Sequence, residues 1–259
     1  MKFLPKKKRK FLKSEELQNS PSHVAVIMDG NGRWAQKKFL NRIKGHEKGS
    51  ETVRAIVTSA REAGVGILTL YAFSTENWAR PESEVSALMN LLKKFIRSET
   101  SRLKEQNIRL NVIGNVYGLP SDVREHVQNA MEETGGNDGM VLNLALNYGA
   151  REEITSAVKN MALEMEKGRL KAEDITEAVI SDHLYTKDQP DPDLMIRTSG
   201  EMRLSNFLLW QSAYTEFYFS DTLWPDFTRQ EFEEILEDFK TRNRRFGKTT
   251  CSSTDGSPQ

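Results

Sequence analysis

"HVAVIMDGNGRWAQ", residues 23–36, runs a short apolar segment into an acid, two glycines, an arginine and a tryptophan. An apolar run of that length, bounded by glycine, reads as a buried strand rather than a helix. A chain that ends such a strand on a carboxylate and then strips away nearly every neighbouring side chain is clearing space for something. The rest of the sequence shows what kind of strand this is.

Further candidate strands lie at 66–73 (GILTLYAF), 108–113 (IRLNVI), 140–147 (MVLNLALN), 193–197 (DLMIR) and 216–219 (EFYF), the first taken as 23–28. Helical patterns separate them at 47–63, 81–105, 121–133, 173–184 and 229–245. Pro81 with Glu82 and Glu84 marks one helix start. Another helix, REEITSAVKNMALEME, lines up Ile154, Ala157, Val158, Met161, Ala162 and Met165 on one face. Strand–helix alternation predicts an α/β fold with a mostly parallel sheet covered by helices on both faces. The length of 259 residues suits a single domain.

Residues 1–20 read as a basic flexible arm, residues 21–247 as the folded domain, and residues 248–259 as a disordered tail. Lys plus Arg equals Asp plus Glu, at 37 each, so no global charge argues for a nucleic-acid partner. Cys251 is the only cysteine, which excludes internal disulfides and thiolate zinc sites and fits a reducing, cytoplasmic setting. No apolar run approaches the ~18–20 residues of a membrane span. The basic N-terminus has no apolar segment behind it, so it does not read as a secretory signal.

Ligands of parallel sheets bind beyond the carboxyl ends of the strands, and the unusual polar residues cluster there. Asp29-Gly30-Asn31-Gly32-Arg33-Trp34 follows the first strand and Ser74-Thr75-Glu76-Asn77-Trp78-Ala79-Arg80-Pro81 the second. Asn147-Tyr148-Gly149-Ala150-Arg151 follows the fourth, and the fifth runs into Arg197-Thr198-Ser199-Gly200-Glu201-Met202-Arg203-Leu204-Ser205-Asn206. Glycines let backbone N–H groups approach an anion, and Arg33 and Arg42 can add bidentate bonds to phosphate. An acid within such a site repels phosphate unless a cation lies between them, so Asp29 implies Mg²⁺. Several arginines and one carboxylate suit a diphosphate. His46 reads equally as a phosphate contact or a helix cap, and His23 and His126 as structural or surface residues. The face of Val85, Leu88, Met89, Leu92, Phe95 and Ile96 reads as core packing, with an open apolar groove as the sharper alternative.

HVAVIMDGNGRWA, YAFSTENWARP, LNYGAR, DLMIRTSGEMRLSNFLLWQSAYTEFYFSDTLWPDF and RRFG, in this order, resemble the cis-prenyltransferases, most closely the bacterial undecaprenyl diphosphate synthase type, over residues 21–247. The resemblance implies a six-stranded, mostly parallel sheet, an apolar tunnel for the product chain, and a homodimer. It implies stepwise condensation of isopentenyl diphosphate onto an allylic diphosphate, typically farnesyl diphosphate, to give the lipid carrier of cell-wall glycans. It assigns Asp29 to Mg²⁺ and to departure of diphosphate, with Glu216 completing the metal network. Gly30, Asn31, Gly32, Arg33, Arg42 and His46 would cradle the allylic diphosphate, and Trp34 and Trp78 would flank the chain. Ser74, Thr75, Glu76, Asn77 and Arg80 match the mobile active-site segment, with Asn77 assigned to proton removal, although a phosphate oxygen or a relay could take the proton. Arg197, Arg203, Leu204 and Ser205 would bind isopentenyl diphosphate. Arg245 and Gly247 match an element that reaches the partner subunit's site. The tunnel would be lined by the apolar face of helix 81–105 with Leu142, Leu144 and Leu146.

The chain departs from the family pattern at Met202, where many relatives carry His, at Ala150, and at Lys248; none of these touches the metal or main phosphate ligands. Gly247-Lys248-Thr249 is no P-loop, because the first glycine would fall at Arg242 and no helix-forming sequence follows. A DDxxD cluster is absent. A phosphohydrolase of the Asp-Gly type would need a second acid where Asn31 stands. A non-catalytic subunit would lack Asp29, Asn77, Arg80 and Arg197, all of which are present. The seven Lys/Arg of residues 1–13 form either a solvated tail or a contact for anionic membrane.

Overall fold

The structure, a computed structural model, describes residues 20–242. Both tails, with Cys251, Arg245 and Gly247, lie outside the described residues. Six strands form one sheet: β1 (His23–Ile27), β2 (Ile67–Ser74), β3 (Ile108–Ile113), β4 (Met140–Tyr148), β5 (Leu194–Arg197) and β6 (Glu216–Phe219). The spatial order is β3-β4-β2-β1-β5-β6, and every pairing is parallel. β1 is buried at all five residues because it has neighbours on both edges and helices on both faces.

The α-helices are α1 (Asn31–Lys37), α2 (Arg42–Glu62), α3 (Glu82–Glu105), α4 (Ser121–Thr134), α5 (Ala150–Glu166), α6 (Glu177–Asp182) and α7 (Arg229–Thr241). α2 begins five residues before the expected 47, with Asn41 as its cap: the Asn41 side chain accepts the Lys44 N–H at 3.0 Å. His46 is therefore not a cap. The 173–184 pattern resolves into a 3-10 turn at Ala172–Asp174 and the short α6, because Thr176 interrupts it and caps α6 through Val179 N–H. The apolar face of α5 buries Ala157 and Met161 but leaves Val158 and Met165 exposed.

The main core lies on one side of the sheet, where α2, α3, α4 and α7 pack over Val24, Val26, Leu68, Leu70, Leu142 and Leu144. A smaller cluster around Ala25, Ile27, Tyr148 and Phe207 fills the other side. His23 is a core residue, as a structural histidine should be. Its Nδ1 meets Pro190 O and its Nε2 meets Thr69 Oγ1, each at 2.7 Å, and burial lowers its pKa to about 4. His126 is half-buried on α4, its Nδ1 against Asp122 O.

Candidate active site

Chain order reverses beside β1. The chain leaves β1 for β2 on one side and reaches β5 on the other only after β4. Such a switch point leaves a crevice beyond the strand ends. Ile27 and Arg197 are register partners at this edge, and Asp29 lies two residues further on. The Asp29 backbone is pinned from both sides. Its N–H donates to Ile27 O and Thr198 Oγ1, and its carbonyl accepts from Thr198 Oγ1 at 2.7 Å and from Trp224 N–H at 3.0 Å.

The Asp29 carboxylate meets two guanidinium groups. Arg197 Nη2 donates to Oδ2 at 2.9 Å, and Arg33 Nη2 stands 3.1 Å from the same oxygen. Burial pushes the Asp29 pKa up, but the Arg197 bond and the charges of Arg33 and Arg197 outweigh it, so the group stays below its ordinary value. Arg197 is 4% exposed and also donates through Nη1 to Ser205 Oγ at 2.7 Å and to the Arg203 carbonyl. The segment that wraps it holds Ser199, Ser205, Asn206 and Leu208 in the left-handed region, φ 46° to 81°. Each such residue costs about 1–3 kcal/mol and persists only where its surroundings fix it.

The remaining arginines are held by carboxylates in pairs. Glu84 Oε1 binds Arg80 Nη1 at 3.0 Å and Arg42 Nε at 3.3 Å. Glu201 binds Arg33 Nη1 at 2.9 Å and, through its other oxygen, Arg203. Five guanidinium groups thus share three carboxylates, leaving the lattice net positive and open to an anion. The glycines explain the opening of the stretch. Gly30 takes φ 109° and lies so close to Leu223 that a Cβ would meet its side chain at 2.9 Å. A Cβ at Gly32 would lie 3.0 Å from the Arg42 guanidinium. Gly30 also opens α1 without a side-chain cap.

His46 sits among Arg80, Glu84 and Arg42. Burial and the two arginines lower its pKa to about 4, against the opposing pull of Glu84, so it is a neutral imidazole at pH 7. Among the described residues, four buried side-chain polar atoms lack a partner, and three belong to this crevice: Asn31 Oδ1, His46 Nε2 and Arg197 Nε. Buried polar groups are normally paired, so three unpaired ones together mark a place where a ligand completes the bonding.

A cavity of about 180 Å³ opens from the same place. Asn31, His46, Asn77 and Arg80 line its polar end; Leu88, Leu92, Phe95, Leu144 and Leu146 line its apolar end between α3, β2 and β4. Both readings of the α3 face hold: Val85 and Ile96 are core, buried Met89 is core and also lines the cavity, and Leu88, Leu92 and Phe95 are half-buried and border it. Leu142 lies further down, with Phe95 between it and the cavity, in a much smaller void beside Arg54 and Glu99.

The segment after β2 forms a 3-10 turn, Thr75–Ala79. Ser74 caps it: Ser74 N–H donates to Asn77 Oδ1 at 3.1 Å. That bond engages the Asn77 oxygen and leaves Nδ2, a donor, toward a ligand, which suits a phosphate oxygen better than proton removal. Glu76 accepts from Asn206 Nδ2 at 2.8 Å, and Asn206 in turn accepts the Arg151 N–H, which ties this turn to the Ser205 segment. Thr75 lies against Gly149. Leu204 packs on the smaller core beside the Arg197 loop.

Three expected residues fall elsewhere. Trp34 is buried, donates to Asp226 Oδ1 at 2.7 Å, and is not in the cavity wall; Trp224 is. Trp78 donates to Asn147 Oδ1 and borders a separate cleft on the outer side of α3. Glu216 opens β6 opposite Leu194, three residues before the Arg197 level, and pairs with Arg242 at 3.3 Å. Within this chain it is therefore not brought to Asp29, because it sits at the amino end of its strand and Asp29 lies past the carboxyl end of β1. The sequence reading also missed Glu84, Glu201 and Trp224. The Arg80–Glu84 spacing of four and the LWPDF segment were the available signals.

The site fits a divalent cation that is shared with a ligand. Asp29 is ionised, and both its guanidinium contacts fall on Oδ2, leaving Oδ1 for a metal. Among the described residues no cluster of three His, Cys, Asp or Glu could hold a metal alone. Mg²⁺ commonly takes one or two carboxylates and completes its shell with phosphate oxygens and water.

Residues 27–247 match a prenyltransferase family model described as undecaprenyl diphosphate synthase. The chain is 57% identical over 231 residues to an isoprenyl transferase of Geobacter sulfurreducens, covering 89% of this chain and 94% of the relative. It is 55% identical over 227 residues to an isoprenyl transferase of Geobacillus kaustophilus, covering 88% of each. The fold superposes on lavandulyl diphosphate synthase from Lavandula x intermedia, solved with dimethylallyl diphosphate, with a TM-score of 0.87 and 38% identity over 89% of this chain and 99% of that one. On sequence across nearly the whole folded region and on architecture alike, this chain belongs to the undecaprenyl diphosphate synthase family of cis-prenyltransferases.

Proposed function

We propose that the chain extends an allylic diphosphate, farnesyl diphosphate, by successive cis additions of isopentenyl diphosphate, giving a long polyprenyl diphosphate of the undecaprenyl type that carries cell-wall glycans. The observation that carries this reading is the continuity of two environments. The Arg42–Glu84–Arg80 part of the arginine–carboxylate lattice meets, through Arg80 with Asn31 and His46, an apolar cavity between α3 and the sheet. A diphosphate bound at the lattice would extend its hydrocarbon into the cavity.

In each cycle the allylic C–O bond breaks with its electron pair passing to the diphosphate. The alkene of isopentenyl diphosphate forms the new C–C bond, and the adjacent carbon gives up a proton to a diphosphate oxygen. Arg33, Arg42 and Arg80, with the backbone N–H groups after Gly30, hold the leaving diphosphate as its charge grows. Preorganised donors of this kind are each worth about 10²–10³ in rate. Asn77 donates to a phosphate oxygen, and neutral His46 adds one further bond. Arg197, Ser205 and Arg203 hold the second diphosphate, with Leu204 packing behind them. The apolar wall excludes water from the allylic cation. Asp29 would hold Mg²⁺, which when bound would supply Lewis-acid stabilisation of the departing group.

The reading extends to assembly and place. The protein works as a homodimer in the cytoplasm, with Arg245 and Gly247 reaching the partner subunit's site and Glu216 serving the metal only if that site is shared. The basic arm contacts anionic membrane. Among the described residues no helix is long and apolar enough to cross one.

Incubation with farnesyl diphosphate, isopentenyl diphosphate and Mg²⁺, followed by mass spectrometry, tests the function. A ladder of products spaced by one five-carbon unit supports it. Recovery of unextended substrate overturns it.

A further inference from the structure

The seven residues Gln36–Arg42, joining α1 to α2, are all exposed. At their centre Phe39 is 99% exposed and Leu40 is 45% exposed. Phe39 takes φ 56°, a left-handed conformation that an aromatic residue adopts only under constraint. The constraint is a set of backbone bonds to the end of α1: Lys38 N–H to Trp34 O, Phe39 N–H to Gln36 O at 3.1 Å, and Leu40 N–H to buried Ala35 O at 2.8 Å. The fold thus holds an aromatic side chain outward, and the ordering cost of presenting it is met before any partner arrives.

Basic residues dominate the sequence on either side of it, although Arg42 pairs with Glu84 and Lys44 with Glu47. Residues 30–46 contain five Lys/Arg and no acid. Lys37 and Lys38 directly precede the tip, with Lys38 Nζ lying over the Trp34 ring. Arg42 belongs also to the crevice, where its guanidinium packs on Gly32, so the tip stands next to the diphosphate site.

We propose that the Phe39–Leu40 tip is an interfacial anchor that inserts into an anionic phospholipid surface and holds the catalytic crevice beside it. Two apolar side chains are too small for a stable protein partner, which needs about 1,200 Å² or more of buried surface. An aromatic tip directly preceded by two lysines fits the boundary between headgroups and acyl chains. The choice of a bilayer also rests on the lipid product proposed above, which has to pass from the cavity into a membrane.

Co-sedimentation of the full chain with phosphatidylcholine vesicles, with and without phosphatidylglycerol, tests this without turnover. Failure of the prenyl-transfer reading would show in the elongation assay and leave sedimentation unchanged. The parent binds the anionic vesicles. F39S/L40S lowers its partition coefficient about tenfold or more, and K37Q/K38Q lowers it about fivefold per charge. Y117S, which removes another strongly exposed aromatic (81% exposed) elsewhere, leaves it unchanged. Circular dichroism and elongation of a soluble short primer stay at parent values in all three variants. Parent-like binding by F39S/L40S, equal binding to neutral vesicles, or no binding by the parent overturns the proposal.

Discussion

Asp29 Oδ2 and Arg197 Nη2 stand 2.9 Å apart across the ends of β1 and β5, one side chain half-buried and the other almost wholly so. Arg197 is almost wholly buried, and among the described residues Asp29 is its only carboxylate partner within 4 Å. Asp29→Ala removes the proposed metal ligand and leaves a buried cation uncompensated. Elongation falls by at least about 10²–10³, and thermal stability falls as well, because an orphaned buried charge is costly. Arg197→Lys cannot span Asp29, Ser205 and the Arg203 carbonyl at once. It raises the KM for isopentenyl diphosphate more than that for the allylic primer. Steady-state kinetics with each substrate varied separately measures the difference.

Glu84 touches no ligand in this reading, yet Arg42 and Arg80 both rest on its Oε1. Removing the negative charge while keeping the size, in Glu84→Gln, frees both arginines to wander. kcat/KM for the allylic diphosphate falls about tenfold, while that for isopentenyl diphosphate changes little. Equal losses for both substrates would assign Glu84 to the fold instead.

The strands were legible because each is a short apolar run followed by turn-forming or polar residues, and a parallel sheet buries such runs on both faces. Asp29, the glycines and Arg197 were legible for the same reason, since they interrupt those runs at the strand ends. α1 was not, because seven residues after a glycine turn carry too little periodicity. The start of α2 was hidden by Gly45 and Gly49, poor helix formers that here let Asn31 approach. Periodicity gave the apolar face of α5 but not whether anything covers it, and Val158 is 55% exposed. Glu84 and Glu201 were missed because an acid whose task is to hold two arginines shows itself only in three dimensions. Trp34 and Trp224 lie in equally suggestive segments, and only packing decides which of them lines the cavity.

His46 makes stability depend on pH. Its folded pKa is about 4 against 6.5 for a free imidazole, and that of His23 is lowered to about 4 as well. Between these values the unfolded chain binds protons that the folded chain refuses, so stability rises with pH through that window. The urea midpoint should fall as pH drops from about 6.5 toward 4, and His46→Gln should flatten part of the slope. Asp29 acts lower down: its pKa is already depressed, so its contribution holds above the ordinary carboxylate range and is lost only below it. A slope in His46→Gln as steep as the parent's between pH 4 and 6.5 would show that the imidazole is solvated.

Phe95 is the floor of the central cavity, shared with the small void that holds Leu142 and the Arg54–Glu99 pair. Leu88 lies higher on the same helix, one turn after Glu84. If the growing chain descends between α3 and the sheet, its length is set by what it meets. Leu88→Trp adds bulk near the entrance and shortens the product. Phe95→Ala joins the cavity to the void beneath and lengthens it. The two variants move product length in opposite directions while leaving the Asp29 lattice intact, so first-condensation rates stay near the parent value. Mass spectrometry of the lipids reads both lengths, and a parent-like distribution from both variants would place the product outside this cavity.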